Sequence, residues 1–399
     1  MLGERLRRAV TVLHLCGMSL LVLPTTMGLA ADFLRVAWDR SYGDDRLWND
    51  YSAMAIGKDG ALLIAGSART APGDSVAKPG RLLLWQLNNA GEATSEIEIR
   101  KPTAAPNVPE AQTVTAAIKD VLALDSGDAL LLVDFEGARP SLVKIDTTGK
   151  QVFAKQLTGP ERAVTLFKIL ATSDGAFVLL GHQSLDAFVM KLDAAGDVLW
   201  ERKYDRGKMD LFVDGIPIED GAFVLVGNSG TYDVLRGGPS VVSVGQYDAD
   251  GAMSAEVTFD GRYGRVAQAP GGGYAVVYDK DHSENQDVRV RRLGSDLKEI
   301  WETQLLVAMP SFMDFRIGTL RGGGFVVAGG RDGKLYVNRI DSRGGSTGVF
   351  QEDATNPIIR LGTYGLLTVG SELIIASSTI DPREKANARQ RIGVVRLRS

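Results

Sequence analysis

The stretch Asp174-Gly175-Ala176-Phe177-Val178-Leu179-Leu180-Gly181 decides the fold, because in it a glycine turn is followed at once by an unbroken apolar run. Glycine supplies the positive φ that a tight turn needs, and a short apolar run after a turn is typical of a buried strand. Copies of the pattern lie at 58–66, 126–132, 220–227, 271–277, 322–329 and 370–376. Their spacing, about 45 to 70 residues, indicates an array of similar units.

A second turn, which usually begins with Asp or Asn, alternates with the first. Leu192-Asp193-Ala194-Ala195-Gly196 is its clearest copy, and the others lie at 87–91, 145–149, 247–251, 293–296 and 340–344. An aromatic residue on an alternating strand often follows, as at 36–43 and 198–204. Each unit therefore consists of four short strands, A to D, in which the first turn joins A to B and the second joins C to D.

Four-stranded units arranged in a ring form a β-propeller. The sequence contains seven A–B turns but only six C–D turns, and its last unit ends after a strand of the C type at 391–397. A strand of the D type lies near the other end of the chain, at 34–42. The sequence therefore predicts an all-β, seven-bladed β-propeller of four-stranded antiparallel blades, whose last blade is closed by the N-terminal strand.

The repeats resemble those of exported bacterial β-propellers, whose blades have the types D-G-G-[FY]-x-x-x-x-G and W-x-[KR]-x-Y-G. Asp220-Gly221-Ala222-Phe223 is similar to the first motif, and Trp38-Asp39-Arg40-Ser41-Tyr42-Gly43 matches the second. The resemblance covers essentially the whole chain after the N-terminal segment. It implies the propeller architecture but no single activity, because similar propellers include scaffolds, sugar binders and enzymes.

The N-terminal segment has the pattern of a signal peptide. Arg5, Arg7 and Arg8 precede an apolar run at 9–23, and small residues follow up to Ala30. Pro24 ends the apolar run before it reaches the roughly 20 residues that a membrane span needs. We therefore expect a signal peptide at 1–30, a single propeller domain at 32–399, and a periplasmic or secreted location. The alternative is an anchor that stays attached.

Charge and cysteine content exclude several kinds of function. The formal net charge is −4, and removal of the leader, whose own net charge is +2, would leave about −6. An acidic body argues against nucleic-acid binding, which needs a basic face. The single cysteine, Cys16, lies in the leader, and Leu15 before it makes a lipid attachment site a poor interpretation. The body therefore lacks disulfides, thiol nucleophiles and thiolate metal sites.

Strand A of each blade should line the central channel. Counting seven residues back from each A–B turn gives Ala53, Asp120, Lys168, Asp214, Arg265, Arg316 and Tyr364. Five of these residues are charged, with both signs present. One interpretation is a salt-bridge network that plugs the channel. The other is a ligand-binding pocket for an anionic or polyhydroxylated molecule, formed by the five charged residues and Tyr364.

The sequence contains no complete catalytic motif. It has no G-x-S-x-G elbow, and only His182 and His282 follow the leader. Either histidine could join nearby acids in a metal site, and 247–251 could bind calcium, but exposed loops and the repeated C–D turn explain these features equally well. We therefore expect no catalytic residue, metal or cofactor. A basic residue also recurs before the C–D turn, which we interpret as architectural, at Lys144, Lys191, Arg292, Arg339 and Arg396.

All the variation in length falls on the B–C and D–A connections, which lie together on one face. Loops held by a rigid scaffold commonly carry function, and Trp48, Tyr232, Phe312 and Phe315 lie in or near these loops. The first hypothesis is an exported, non-catalytic binding or scaffold protein, such as an immunity or inhibitor protein, that engages another envelope or exported protein through this face. The alternatives are an enzyme acting on a sugar, lactone or other small polar molecule at the channel mouth, and a sensor that binds such a ligand without turnover.

Overall fold

The architecture is a closed ring of β-sheets. A computed structural model describes residues 34–44, 47–57, 59–70, 80–101, 116–135, 140–158, 163–230, 240–280, 287–305, 315–331, 333–383 and 389–398. Over these residues the chain forms seven four-stranded antiparallel sheets. The innermost strand of each sheet contacts that of the next, and the seventh contacts the first. The predicted seven-bladed β-propeller is therefore confirmed, while the predicted leader, with Cys16, lies outside the described residues.

The first six blades each use four consecutive strands, A to D, from the channel outward. Blade 1 has β2 (Trp48–Ile56), β3 (Leu62–Arg69), β4 (Arg81–Leu87) and β5 (Ala93–Ile99), and blade 2 has β6 (Ala117–Ala123), β7 (Ala129–Asp134), β8 (Pro140–Ile145) and β9 (Gln151–Gln156). Blade 3 has β10 (Thr165–Ala171), β11 (Phe177–Gln183), β12 (Asp186–Leu192) and β13 (Val198–Tyr204), and blade 4 has β14 (Met209–Pro217), β15 (Phe223–Gly230), β16 (Ser240–Tyr247) and β17 (Met253–Asp260). Blade 5 has β18 (Arg262–Gln268), β19 (Tyr274–Asp279), β20 (Val288–Leu293) and β21 (Glu299–Gln304), and blade 6 has β22 (Arg316–Thr319), β23 (Phe325–Arg331), β24 (Lys334–Ile340) and β25 (Ser346–Gln351).

Blade 7 joins the two ends of the described chain. Its strands A to C are β26 (Ile359–Val369), β27 (Glu372–Ile380) and β28 (Gln390–Arg398), and its strand D is β1 (Arg35–Tyr42). β1 pairs antiparallel with β28, from Arg35 opposite Arg398 to Tyr42 opposite Ile392. The N-terminal strand thus completes the last blade, as the count of turns predicts.

The two faces of the disc differ in how regular their connections are. On one face, here called the turn face, twelve of the thirteen A–B and C–D connections have five residues, such as 124–128 between Ala123 and Ala129. The exception is the two-residue hairpin 370–371 of blade 7. On the opposite face, here called the loop face, the connections range from one residue, at 261, to seventeen, at 100–116. The repeat therefore fixes the lengths of nearly all turn-face connections but not those of the loop-face connections.

The core consists of apolar clusters in the seams between neighbouring blades. In the seam between blades 3 and 4, Leu180, Val189, Phe212 and Leu225 are all at most 1% exposed. A fully buried side chain of this size contributes about 1.5–3 kcal/mol relative to an exposed one. Because both faces of every blade pack against a neighbour, most B strands begin with an unbroken apolar run, as in β7 (ALLLVD) and β11 (FVLLGHQ), which is the pattern that the sequence repeats.

The W-x-[KR]-x-Y motif fastens each strand D that carries it to the C–D turn of the next blade. In blade 7, Arg40 Nε donates to the carbonyl of Ala90 (3.1 Å) and Tyr42 Oη donates to that of Gly91 (2.6 Å). Blade 3 repeats the arrangement, because Tyr204 Oη donates to the carbonyl of Gly251 at 2.6 Å. The motif is thus an interblade fastening, and its copy in blade 7 holds the site where the ring closes.

The basic residue before the C–D turn has an architectural role. Lys191 Nζ contacts the Asp174 carboxylate of its own A–B turn (2.6 Å) and the Ala249 carbonyl of the next blade (3.0 Å). Arg396 does the same with Glu372 (2.7 Å) and the Asn89 carbonyl (2.9 Å). These side chains link turns of neighbouring blades, which agrees with the interpretation of the repeated position.

The described residues include a short 3-10 turn at Glu219–Gly221. No helix in this part of the chain has the length and apolar character needed to cross a bilayer.

Candidate functional site

The inner strands bring six of the seven counted residues to one level of the channel. Each of the six pairs with the equivalent residue of its strand B. These pairs are Ala53 with Ala65, Asp120 with Leu132, Lys168 with Leu180, Asp214 with Val226, Arg265 with Val277, and Arg316 with Ala328. We call these six residues, with their counterpart in blade 7, the channel ring.

The counterpart in blade 7 is Gly365, not the expected Tyr364. Gly365 pairs with Ala376, the residue equivalent to Ala328 of blade 6. Tyr364 is 1% exposed and packs with Leu373 and other apolar residues in the seam between blades 6 and 7. The count is off by one because blade 7 has a two-residue A–B hairpin in place of a five-residue loop. Tyr364 therefore does not belong to the channel ring.

A β-bulge precedes the ring residue in each of the first four blades. The extra residues are Ser52, Lys119, Phe167 and Val213, each lying between two paired positions. A bulge bends the strand and changes the direction of the next side chain. The bulges therefore help to aim the ring residues, and the sequence gives no separate signal for them.

Lys168 and Asp214 form an ion pair between blades 3 and 4. The second carboxylate oxygen of Asp214, Oδ2, accepts a hydrogen bond from the backbone N–H of Val266 in blade 5 (2.9 Å). Burial alone would raise the pKa of Asp214, but the charges of Lys168 and Arg265 and these hydrogen bonds outweigh it and lower the pKa below its usual range. Asp214 is therefore a fixed anion that links three consecutive blades.

Asp120 makes the equivalent contact between blades 2 and 3. Its Oδ2 accepts from the backbone N–H of Ile169 (2.9 Å), and its Oδ1 accepts from the N–H of Val121 (2.9 Å). Burial in the channel raises the pKa of Asp120 to about 6, although the Lys168 charge and the two hydrogen bonds oppose the rise. The two ring carboxylates thus have the same place in their blades but opposite shifts in pKa, because Asp214 has two cations near it.

Arg265 and Arg316 occupy neighbouring ring positions in blades 5 and 6 and make the same kind of hydrogen bond to the main chain. Arg265 Nη1 donates to the carbonyl of Gly264 (2.9 Å), and Arg316 Nη1 donates to the carbonyl of Phe315 (3.0 Å). Each guanidinium therefore folds back onto the residue before it. The result is a pair of planar cations on one side of the channel.

Tyr51 is a polar residue of the channel that the sequence analysis missed. It is buried, and a Cβ built on Gly365 would lie only 2.0 Å from its hydroxyl oxygen. Burial raises the pKa of Tyr51, while the nearby Arg316 charge lowers it and the Asp120 charge raises it. The Tyr51 hydroxyl therefore remains protonated, and it lies against the Gly365 position of the channel ring. The sequence feature that could indicate Tyr51 is Gly365, because a glycine at the ring position of blade 7 leaves space for a side chain from blade 1.

Both ring carboxylates are bound to the main chain. Each oxygen of Asp120 accepts a backbone N–H, while Asp214 accepts one backbone N–H and pairs with Lys168. Among the described residues, no group of three or more His, Cys, Asp or Glu side chains could hold a metal ion. The ring is also partly a salt-bridge plug, since Lys168 and Asp214 are paired.

The loop face holds the remaining candidate residues. His182 lies against the Phe167 ring (centroids 5.8 Å apart), and its Nδ1 contacts the Ser184 carbonyl at 3.1 Å. Phe315 is 1% exposed and belongs to the seam between blades 5 and 6, so it is not a surface anchor. Trp48 is half-buried at the start of β2. His282, Tyr232 and Phe312 lie outside the described residues.

The C–D turn suggested as a calcium loop is explained by its own hydrogen bonds. Asp248 Oδ1 accepts from the backbone N–H groups of Asp250 (3.0 Å) and Ala252 (2.8 Å). Asp193 makes the same two bonds in blade 3. The carboxylate therefore caps the turn, as the repeat predicts.

Proteins with unrelated functions share this fold. A virginiamycin B lyase from Staphylococcus aureus is 12% identical, with a TM-score of 0.52 over 92% of this chain and 99% of its own. The Pan2 WD40 domain of Neurospora crassa is 11% identical, with a TM-score of 0.53 over 89% of this chain and 97% of its own. Drosophila Plexin A, solved in complex with Semaphorin 1b, is 9% identical, with a TM-score of 0.50 over 91% of this chain and 87% of its own. No protein-family model and no curated protein matches the chain. At such identities the likeness shows the fold alone.

Proposed function

We propose that the protein is an exported, non-catalytic binding or scaffold protein that engages a partner protein through its loop face. The observation that carries the proposal is the contrast between the two faces. Turn-face connections have five residues with one exception, whereas loop-face connections range from one residue to seventeen. Connections that follow the repeat serve the ring, whereas connections of many different lengths can form a unique surface.

The contacts of the channel carboxylates support a structural role for them. Asp120 accepts the backbone N–H of Ile169 and Asp214 accepts that of Val266, so each one binds the next blade. The complex of Drosophila Plexin A with Semaphorin 1b is one case in which a protein with this fold has a protein partner.

Short connections on the loop face include 184–185 in blade 3, 205–208 between blades 3 and 4, and 261 between blades 4 and 5. Leu185 is 46% exposed at the tip of the first of these, and its carbonyl accepts a hydrogen bond from the Asp210 N–H at 2.7 Å. An exposed leucine on a fixed turn is suited to contact a partner, because little conformational freedom is lost on binding. We therefore place Leu185 within the partner-binding surface.

A matched pair of substitutions tests the proposal. Leu199 of the same blade is 56% exposed but lies at the start of strand D, on the turn face. We expect Leu185→Glu to abolish cross-linked capture of a partner from periplasmic extract, while Leu199→Glu leaves capture unchanged. Equal capture by both variants, or no partner with the wild-type protein, would count against a loop-face partner.

Export is tested separately by expressing the full chain in a Gram-negative host. The expected result is a periplasmic protein whose measured mass corresponds to cleavage near Ala30. A variant with Glu in place of Leu20 and Leu21 is the control, because it breaks the apolar run at 9–23 and should stay uncleaved. A wild-type protein of full length in the cytoplasm would contradict export.

A further inference from the structure

The basic residue before the C–D turn pairs with an acid of its own A–B turn in three blades. These pairs are Lys144 with Asp128 (2.9 Å), Lys191 with Asp174 (2.6 Å), and Arg396 with Glu372 (2.7 Å). In blade 5 the residue at this position is Arg292, and the A–B turn is Ala269-Pro270-Gly271-Gly272-Gly273. This turn contains no acid, so Arg292 lacks the carboxylate that the repeat supplies in blades 2, 3 and 7.

The hydrogen bonds of Arg292 end on backbone carbonyls of its own blade. Nη1 donates to the carbonyls of Tyr274 (3.3 Å) and Leu293, and Nη2 donates to that of Gly272. Arg292 is 8% exposed, and within the described part of the chain no carboxylate contacts its guanidinium. Burial lowers the pKa of Arg292, and no described neighbouring charge opposes this effect. Arg292 is therefore a buried cation without a counter-ion among the described residues.

The seam between blades 5 and 6 also lacks a link that its counterpart between blades 7 and 1 has. In blade 7 the basic residue and the tryptophan of strand D both donate to the Asn89 carbonyl of blade 1, at 2.9 and 3.3 Å. In blade 5, Trp301 donates to the equivalent carbonyl, that of Ser342 in blade 6, at 3.2 Å. Arg292, by contrast, turns back to its own A–B turn, so it does not bridge the two blades.

A cavity of about 140 Å³ opens at this seam, and Arg292 lines it. Its other walls include Trp301, Phe325 and Ile300, of which Ile300 is 59% exposed. The rings of Trp301 and Phe325 meet edge to face, with their centroids 6.1 Å apart. An apolar cavity of about 150 Å³ can hold a benzene molecule. The space is therefore suited to a compact apolar group beside a cation.

We infer that this cavity binds a small carboxylate with a compact apolar group. The carboxylate of the ligand pairs with Arg292, and its apolar part packs on Ile300 and Trp301. Three of the five guanidinium N–H groups have the backbone acceptors named above, so two remain for the ligand. The cavity lies on the turn face. It is separate from the partner-binding surface proposed on the loop face and does not depend on that proposal.

A substitution in the A–B turn tests the role of charge. Gly271 has the position of Asp174, which pairs with Lys191 in blade 3, and a Cβ on Gly271 would meet nothing within 4 Å. Its φ is +80°, and Asp220 holds the equivalent position in blade 4 with φ +56°, so Asp and Asn can be accommodated. Gly271→Asp should supply the missing acid from within the chain and exclude the ligand. Gly271→Asn has the same size but leaves Arg292 without an acid.

The experiment is isothermal titration of the full-length protein with benzoate, with benzamide and acetate as control compounds. Benzamide keeps the ring but not the charge, and acetate keeps the charge but not the ring. We expect saturable binding of one benzoate per chain, and at least about tenfold weaker binding of both control compounds. Gly271→Asp and Arg292→Gln should each weaken benzoate binding at least about tenfold, while Gly271→Asn should stay within about twofold of the wild-type protein.

Three results would overturn the inference. They are no saturable binding of benzoate, equal affinities for benzoate and benzamide, and equal affinities of Gly271→Asp and Gly271→Asn for benzoate. Circular dichroism and thermal unfolding establish that each variant is folded. Should the Gly271 variants unfold, Ser342 allows the same comparison from an exposed position in the wall of the cavity. Ser342→Asp should bind benzoate more weakly than Ser342→Asn, because it repels the carboxylate of the ligand, and equal affinities there would also reject the site.

Discussion

Asp214 shows how one side chain stabilises several blades. It pairs with Lys168 of blade 3 and accepts the N–H of Val266 in blade 5. Strand A is the edge of its sheet at the channel. The N–H groups on that free edge have no partner within the sheet and need an acceptor from the neighbouring blade. Asp120 supplies the equivalent bond to Ile169. Aspartates at the ring positions of blades 2 and 4 therefore hold the edges of blades 3 and 5.

Replacement of Asp214 by Ala should be costly. It leaves Lys168 without its carboxylate and the Val266 N–H buried without its acceptor. Removing one partner of a buried pair costs about 3–5 kcal/mol, and we expect the lower end because Lys168 is 33% exposed. The matched control is Asp197→Ala, which breaks an exposed pair with Lys155 (2.7 Å) and should cost about 0–1 kcal/mol. Urea unfolding measures both free energies, and similar values for the two variants would show that the ring pair does not support the fold.

Most of the channel ring could be predicted by counting, and the errors have identifiable physical causes. The count succeeds in six blades because each has the same five-residue A–B loop, and it fails at Tyr364, where the hairpin has two residues. Tyr51 could not be predicted by counting. It lies two residues before Ala53 in blade 1 and reaches the ring through the space that Gly365 of blade 7 leaves open. Contacts between blades depend on three-dimensional distance, which a repeat pattern within one blade does not contain.

At the scale of elements, the sequence of a C–D turn depends on strand D of the preceding blade, which packs against it. Gly251 ends a C–D turn with φ +78°, and a Cβ there would lie 2.7 Å from the Trp200 ring and 2.9 Å from Cδ of Arg202. Gly175 ends an A–B turn with the same φ, but a Cβ there would meet nothing within 4 Å. Glycine is therefore needed at both turns for its backbone angle, and at Gly251 also for its small size. The sequence predicts the first requirement, but not the second, which comes from the adjacent blade.

Substitution of these two glycines by alanine separates the two requirements. Gly175→Ala should cost about 1–2 kcal/mol, the usual penalty for a non-glycine residue in the left-handed region. Gly251→Ala carries the same penalty, and it must also displace Trp200, so we expect a total of about 3 kcal/mol or more. Thermal and urea unfolding of the two variants give the difference. Equal losses would mean that the W-x-[KR]-x-Y fastening contributes little at this seam.

The whole molecule depends on a single seam that joins distant parts of the chain. β1 supplies the outer strand of blade 7, and its residues bond both to blade 1 and to the inner strand of blade 7. Tyr42 donates to the Gly91 carbonyl of blade 1, and the Asp39 carboxylate pairs with Arg360 of blade 7 (3.0 Å). Arg360 is 2% exposed on its side chain and also pairs with Glu352, which precedes blade 7. The sequence predicts this closure from the unequal numbers of turns, because topology can be counted even where individual contacts cannot.

Deletion of residues 1–42 should therefore destabilise the ring far more than deletion of residues 1–33. The longer deletion removes β1, exposes the edge of β28, and takes the Asp39 charge from a buried arginine, while the shorter one leaves every described residue in place. We expect the 1–33 deletion to unfold cooperatively as a monomer, and the 1–42 deletion to aggregate or to lose its cooperative transition. A synthetic peptide of residues 34–43 added in trans should restore the transition, because strand pairing with β28 needs no covalent link. If the 1–42 deletion instead unfolds at the same temperature as the shorter variant, the N-terminal strand is dispensable and the ring is held by blades 1 to 6 and strands A to C of blade 7 alone.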